Sequence, residues 1–121
     1  MQFAQKNFYK KFLGRVGEKK AAEFLRKQGI KVIEQNYKNV FGEIDIIAKD
    51  GEYTAFIEVK TRTTDEFGAP IEAVDNRKRQ KYIRIAKLYA LEKGLTDAPM
   101  RFDVIEVEEQ KINHVKDAFS L

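Results

Sequence analysis

The sequence predicts an α/β domain in which a mixed β-sheet is flanked by helices, in the order helix, three strands, helix, strand. Two segments carry apolar residues at helical spacing, and alternating apolar segments lie between and after them. A strand-helix-strand connection favours a parallel pair and a tight hairpin favours an antiparallel one, so the sheet should be mixed. The 121 residues suit one domain, which we assign to residues 1–121.

The first helix is predicted from about residue 3 to residue 28, with Gly29 as its terminator. Its apolar face is made by residues three or four apart: Leu13, Gly17, Ala21, Phe24 and Leu25. Residues 30–37 alternate and contain β-branched side chains, which is typical of a strand. The turn-like residues 38–40 follow this strand.

The next two strands, residues 43–48 and 52–60, surround Asp50-Gly51, a strong signal for a tight hairpin. A polar loop is predicted at 61–70 and a second helix at 71–93, ended by Gly94. A further strand is predicted at 101–107, with a short optional one at 111–115. The second helix presents an apolar stripe of Tyr82, Ile85, Ala86 and Tyr89.

The hairpin sorts its charged residues onto one face. If Asp50 and Gly51 are the turn residues, Lys49 faces Glu52, Asp45 faces Phe56 and Glu43 faces Glu58. Because alternate residues of a strand share a face, one face carries Glu43, Asp45, Phe56, Glu58 and Lys60. The other face is apolar and should belong to the core: Ile44, Ile46, Ala48, Ala55, Ile57 and Val59.

Composition limits the chemistry that this face can perform. The chain has no cysteine and one histidine, which excludes thiolate nucleophiles and cysteine-based metal sites. Any metal would be held by oxygen ligands, and such ligands suit Mg²⁺ or Mn²⁺. The formal net charge of +4 favours polyanionic partners.

Asp45 and Glu58 are diagonal neighbours in this register, with backbones roughly 7 to 8 Å apart. Their charges would repel by roughly 2 kcal/mol, and a divalent cation between them would reverse that cost. With Lys60 on the same face, this pattern suits metal-assisted hydrolysis of a phosphodiester. A half-exposed hairpin can also carry such residues as a solvated pair, and the spacing leaves both interpretations open.

The segments GEIDIIA and FIEVKTR resemble the core motif of the PD-(D/E)xK nuclease superfamily. Together with GRVGEKKAAEFL, the NY pair at 36–37, GAPIEAV, RFDVI and the AF near the end, they resemble the uncharacterised bacterial endonuclease-like family labelled YraN. The resemblance implies a restriction-endonuclease-like fold. It also implies that Asp45 and Glu58 are metal ligands and that Lys60 is the catalytic lysine. The proline that names the motif is replaced by Ile44.

Glu18 occupies a place similar to the first-helix glutamate of archaeal Holliday-junction resolvases, which implies a catalytic role. Its own sequence context favours a pair with a neighbouring lysine over a catalytic role. Glu43 is a candidate accessory carboxylate, or else a hydrogen-bonded structural one. Asp103 is interpreted as a structural partner of Arg101, and a structural role is also favoured for His114.

The second helix carries a basic strip that could grip phosphates without reading sequence. Such strips are more often solvated surface. Arg62 follows Lys60 directly and could contact the scissile phosphate or complete the strand. The candidate nucleic-acid-binding residues are therefore Arg62, Arg77, Lys78, Lys81 and Arg84.

These observations predict a metal-dependent endonuclease acting on nucleic acid, with DNA favoured and branched or junction DNA suggested by analogy. One alternative is a non-catalytic nucleic-acid-binding module with the same fold. Another is a protein-interaction domain built on the aromatic residues of the first helix, in the segment 7–12. A homodimer would suit cleavage of two strands. We expect a cytoplasmic location and no membrane partner, because no apolar run reaches a membrane span.

Overall fold

The computed structural model describes the backbone of residues 2–62 and 75–119, and the side chains of those ranges from residue 12 onward. Two helices and five strands occupy these ranges. In chain order they are α1 (Gln2–Lys27), β1 (Lys31–Asn39), β2 (Gly42–Asp50), β3 (Tyr53–Thr61), α2 (Asn76–Glu92), β4 (Met100–Val107) and β5 (Ile112–Phe119). The predicted order is confirmed, and the optional last strand is a full strand of the sheet. Most of the predicted loop 61–70, the start of the predicted second helix and the GAPIEAV segment lie outside the described residues.

The sheet is mixed, as predicted, and its strands lie in sequence order. The pairs β1–β2, β2–β3 and β4–β5 are antiparallel, whereas β3 and β4 are parallel. The parallel pair follows from α2, because a helical crossover returns the chain in its original direction. β3 therefore lies at the centre of the sheet, between β2, its partner in the hairpin that carries the candidate site, and β4.

Helices cover both faces of the sheet. α1 packs on one face, and its core cluster comprises Ala21, Ala22, Leu25, Ile30, Ile46, Ala48, Ala55, Ile57, Ile105 and Val107. α2 packs on the opposite face, where the cluster comprises Ile44, Ile47, Phe56, Ile85, Ala86, Tyr89, Phe102, Val104 and Phe119. This double burial explains why β3 is buried without interruption from Thr54 to Glu58.

The predicted hairpin register was wrong by one pair. The turn residues are Gly51 and Glu52, and Asp50 pairs with Tyr53 to close the hairpin. Gly51 has a positive φ of 60°, which is why the glycine occupies the first turn position. Because each facing partner moves by two residues, the residues of the paired segments 46–50 and 53–57 keep their predicted faces. The observed register, continued past Ile46 and Ile57, brings Asp45 next to Glu58 instead of Phe56.

Ile44 does not lie on the predicted core face. It belongs to the α2-side cluster, whereas Ile46 lies in the α1-side cluster, so the alternation of β2 breaks between these two residues. The partner strand β1 is irregular at the same level. Asn36 has a positive φ of 53°, and it is not paired with Asp45 in the register of β1 and β2. The break releases Asp45 from regular pairing on the β1 side.

α1 approaches the end of β3 very closely at Gly17. A Cβ atom at this position would collide with the hydroxyl of Thr61, which in turn donates a hydrogen bond of 3.4 Å to the Leu13 carbonyl oxygen. The missing side chain thus lets the helix lie against the strand end. This contact brings Glu18, the next residue of α1, to the end of the hairpin strands. Within the described residues, neither helix combines the length and apolar composition needed to cross a lipid bilayer.

Candidate metal and nucleic-acid site

Asp45 lies where β2 and β3 separate. The paired register ends at Ile46 and Ile57, and beyond it the Val59 N–H donates a hydrogen bond of 2.8 Å to Asp45 Oδ2. A side chain thus replaces the backbone carbonyl that would continue the ladder. The carboxylate is thereby held in the gap between the two strands, and its position is fixed by the backbone of β3.

Glu58 is the most deeply buried carboxylate of the site, with a side chain only 7% exposed. Its Oε1 atom lies 3.0 Å from Lys60 Nζ and 2.7 Å from Lys78 Nζ. Its Oε2 atom is buried and has no hydrogen-bond partner among the described residues. Because an unsatisfied buried oxygen is costly, this atom marks a position where a ligand could bind.

α2 supplies two further side chains to the site, Lys78 and Tyr82. The Asp75 side chain caps the helix by accepting from the Lys78 N–H at 2.9 Å, so Lys78 belongs to the first, well-fixed turn. Burial lowers the pKa of Lys78, but its hydrogen bond and ion pair with Glu58 outweigh this and raise it. Burial, and then the charges of Glu58 and Asp45, raise the pKa of Tyr82. Both side chains therefore remain protonated donors facing Glu58.

Glu18 joins the site from α1 and shares a hydrogen bond with Asp45. Burial, followed by the charge of Asp45, raises the pKa of Glu18 to about 7. Burial also raises the pKa of Asp45, and the charges of Glu58 and Glu43 add to this, although the Val59 N–H opposes them. A hydrogen bond between two carboxyl groups requires a proton on one of them, and here Glu18 holds it more readily.

Four acidic side chains affect one another in the site: Glu18, Glu43, Asp45 and Glu58. Lys60 and Lys78 contact Glu58, Lys38 lies 3.9 Å from the exposed Glu43 at the edge of the site, and the charge of Arg15 lowers the pKa of Glu18. The mutual repulsion of Asp45, Glu58 and Glu43 would be relieved by a bound cation or by protonation.

The donor set fits a hard divalent cation better than a fully enclosed metal. Within the described part of the chain, no three acidic or histidine side chains converge to surround an ion by themselves. Mg²⁺ commonly takes one or two carboxylates and completes its shell with water and phosphate oxygens. Asp45 and the Oε2 atom of Glu58 could supply two such ligands, and Glu18 lies beside Asp45.

The raised pKa of Glu18 has a consequence for stability. The folded protein retains the Glu18 proton up to about pH 7, whereas the unfolded chain releases it near 4.5. Folding therefore takes up a proton between these values, and the free energy of unfolding should fall as the pH rises through them. Glu18→Gln, measured by chemical unfolding in EDTA at pH 5, 6, 7 and 8, should flatten this dependence. Glu23→Gln, at an exposed position of the same helix, is the control; an equal slope in wild type and Glu18→Gln would contradict the assignment.

The candidate nucleic-acid-binding residues divide into three groups. Arg77, Lys81 and Arg84 are exposed on α2 and form a strip on its surface. Lys78 instead turns toward the sheet and contacts Glu58. Arg62 forms an ion pair with Glu106, and both side chains are largely buried. The contacts of Lys78 and Tyr82 with Glu58 were not predicted from the sequence. Their spacing of four residues, which places both side chains on the apolar stripe of α2, would have indicated them.

Asp103 and His114 lie in a separate buried network. Asp103 accepts hydrogen bonds from Arg101 and lies 2.8 Å from His114 Nε2, which agrees with the structural roles assigned from the sequence. The network joins β4 to β5 and includes none of the residues of the candidate site. Its effect is on the stability of the sheet.

Comparison with known proteins identifies the family. Residues 17–107 match the uncharacterised protein family UPF0102. A UPF0102 protein of Caldanaerobacter subterraneus is 45% identical, in an alignment covering 94% of this chain and 99% of the relative. A UPF0102 protein of Thermodesulfovibrio yellowstonii is 46% identical over 88% of this chain and 95% of its own length, and one of Hahella chejuensis is 44% identical over 89% and 90%. The resemblance to the YraN family is thus confirmed, and the chain belongs to UPF0102.

Proposed function

We propose that the protein is a metal-dependent endonuclease that hydrolyses phosphodiester bonds in nucleic acid, with Asp45 and Glu58 as ligands of Mg²⁺ or Mn²⁺. The observation that carries the proposal is the state of Glu58. Its Oε1 atom is held by two lysines, while its buried Oε2 atom lacks a partner among the described residues. A carboxylate oriented in this way, beside Asp45 in the gap between β2 and β3, leaves one oxygen atom available to a ligand from outside the protein.

Each side chain of the site would have a different chemical role, which is set by its position. Lys60 reaches Glu58 from the partly buried end of β3, so its ammonium group could orient a water molecule or a phosphate oxygen. Glu18 lies beside Asp45, so its carboxyl group could exchange a proton with the attacking water. Lys78 fixes the orientation of Glu58. A bound Mg²⁺ or Mn²⁺ would polarise the phosphoryl group and lower the pKa of the attacking water.

The charge pattern around this site is suited to binding nucleic acid. Arg77, Lys81 and Arg84 lie at positions of α2 that share one surface, because residues three and four apart are neighbours on a helix. α2 also carries Lys78 into the site, so the strip and the carboxylates belong to one continuous region. Contacts of this kind grip phosphates and do not read bases. We favour DNA, including branched DNA, as the substrate class.

The first test is cleavage of labelled single-stranded, duplex, flap and four-way-junction DNA by the purified protein with Mg²⁺, Mn²⁺ or EDTA. Cleavage should require the metal. Lys60→Ala should lower its rate by at least about 100-fold, the usual effect of losing a group that positions or protonates a reacting atom. Lys49→Ala is the matched control, because Lys49 lies on the neighbouring strand and bonds only to the turn carbonyl of Glu52 among the described contacts.

The same substrates separate the proposal from its main alternative. Binding by the wild-type protein without cleavage under any metal condition would indicate a non-catalytic nucleic-acid-binding module. Binding that weakens steeply with salt is expected for either, because phosphate contacts release counterions. Absence of both binding and cleavage would refute both functions and favour a role in protein interaction.

A further inference from the structure

The turn between β1 and β2 is made of two large apolar residues. Val40 is 87% exposed and Phe41 is 44% exposed, and we call this pair the hairpin tip. The backbone accepts these residues, because neither has a positive φ, but exposed turns usually carry small or polar side chains. Neither core cluster of the described residues includes the tip. Local folding rules thus give no reason for valine and phenylalanine at these positions, and departures of this kind are expected at functional positions.

The hairpin tip is held rigidly against α2. Asn39 Oδ1 accepts the Phe41 N–H at 2.9 Å, while Asn39 Nδ2 donates to the Ile85 carbonyl oxygen at 3.2 Å. Gly42, which follows the tip, has a φ of 145°, and a Cβ atom there would collide with the Lys81 side chain. The tip is therefore fixed before any partner arrives, which reduces the entropy that binding must overcome.

Cationic groups surround this apolar surface. Lys81 lies against Gly42, directly beside the tip, and Lys38 is an exposed residue two positions before Val40. Arg77 and Arg84 extend the charge along the same side of α2. An acidic side chain, the exposed Glu43, also lies nearby, 3.9 Å from Lys38. An apolar tip set among lysines and arginines suits a polyanion that also offers flat apolar groups, and unpaired nucleobases have this chemistry.

The distance to the candidate site is suitable for one bound strand. Phe41 lies in the turn just before β2 and precedes Asp45 by four residues, which is roughly 13 Å at the rise of an extended strand. Successive nucleotides of one strand are about 3.4 Å apart along a duplex. A phosphate at the carboxylates would therefore place the bases about four nucleotides away beside the tip.

We propose that the hairpin tip, Val40 and Phe41, stacks on an unpaired base at the end of a duplex and so selects branched or partly single-stranded nucleic acid over continuous duplex. This inference rests on the proposed function, because the tip is useful only if a strand crosses the site. Apolar side chains inserted beside a base step are a known means of separating bases. Here the tip supplies shape selection and Lys81 holds the adjacent phosphate.

The test compares the affinity of the full-length protein for a forked DNA and for a fully paired duplex of equal length. Asp45→Asn serves as the background so that no turnover occurs in Mg²⁺. Val40→Ser combined with Phe41→Ser should weaken binding of the fork by about 10- to 100-fold, the range expected from losing one or two stacked bases. Binding of the duplex should change by less than about twofold. Leu91→Ser, at another exposed apolar position of the described chain, should change neither.

A spectroscopic measurement tests stacking directly. A 2-aminopurine base placed beside the branch should lose fluorescence when the Asp45→Asn protein binds, and it should retain fluorescence with the double tip variant. Phe41→Trp should preserve both affinity and quenching, because it keeps an aromatic face. The single variant Val40→Ser, at the most exposed position of the tip, guards against misfolding and should still weaken fork binding.

The outcomes distinguish the two proposals. Metal-dependent cleavage with equal fork affinity in the tip variant and its background would overturn the stacking role alone. Equal losses on fork and duplex would do the same, because they would assign the tip to general phosphate binding. A change of oligomeric state in the tip variant, measured by sedimentation, would assign the tip to a contact between copies of this chain. No binding to any nucleic acid by the wild-type protein would overturn both proposals.

Discussion

Asp45→Asn is expected to reduce cleavage by about 1000-fold while making the metal-free protein more stable. Asparagine keeps an oxygen that can accept the Val59 N–H, so the strand gap should keep its geometry. It loses the negative charge, and several kcal/mol of charge stabilisation at the reacting phosphate correspond to about three orders of magnitude in rate. The same change removes repulsion from Glu18 and Glu58, which raises stability.

The opposite signs make this prediction informative. Cleavage rates in Mg²⁺ and unfolding curves in EDTA at pH 8 should move in opposite directions for the same variant. This is the behaviour expected of a site that carries strain for the sake of activity. Glu52→Gln, on the hairpin turn, should change neither quantity by a comparable amount, since the side chain is exposed. Lower stability together with unchanged cleavage would show that Asp45 is a structural carboxylate.

Asp103→Ala is expected to lower the free energy of unfolding by about 3 to 5 kcal/mol, the usual result of removing one member of a buried charged network. The Asp103 carboxylate accepts from Arg101 Nε at 2.9 Å and Nη2 at 3.0 Å, and from the Asp117 N–H at 2.9 Å. His114 Nε2 lies 2.8 Å away. Alanine would leave these donors without their common acceptor in a nearly inaccessible place.

Asp103 also compensates for a break in the sheet. The register of β4 and β5 shifts between Phe102 and Val104, and Asp117 adopts a positive φ of 54° in the bulged part of β5. The side chain of Asp103 takes the Asp117 N–H that the strand ladder does not satisfy. Chemical unfolding at pH 7 is the measurement, and Asp97→Ala, in an exposed loop, is the control. A loss below about 1 kcal/mol would show that the bulge is held by other contacts.

The pH dependence of the Asp103 effect has a definite sign. Burial alone raises the pKa of Asp103, but the hydrogen bonds from His114, Arg101 and the Asp117 N–H outweigh it and hold the pKa below 3.8. Its contribution to stability is therefore complete above the ordinary pKa and disappears as the pH falls through the folded value. The wild-type and Asp103→Ala unfolding free energies should converge on acidification. A constant difference from pH 7 to pH 2 would contradict this.

The candidate site shows which features local sequence patterns can predict. Strand alternation predicts that Asp45, Glu58 and Lys60 lie on one side of the hairpin. The turn lies one residue later than predicted, but the paired residues keep their faces, because a register shift that moves facing residues by two preserves the alternation. The same reasoning failed at Ile44, where the break in β2 reverses the alternation. Periodicity has no means of reporting such a break, since it depends on the positive φ of Asn36 in the partner strand.

The sequence by itself determined the class of fold, the order of its elements, the family and the residue types available for chemistry. Apolar periodicity and turn residues act over a few positions, so these properties can be predicted from the order of residues along the chain. Only the tertiary structure decided that Lys78 and Tyr82 turn onto Glu58, that Glu18 lies beside Asp45, and that one oxygen of Glu58 has no partner among the described residues. These contacts join α1, α2 and the hairpin across long sequence separations. Their charges and burial arise only when the helices close over both faces of the sheet.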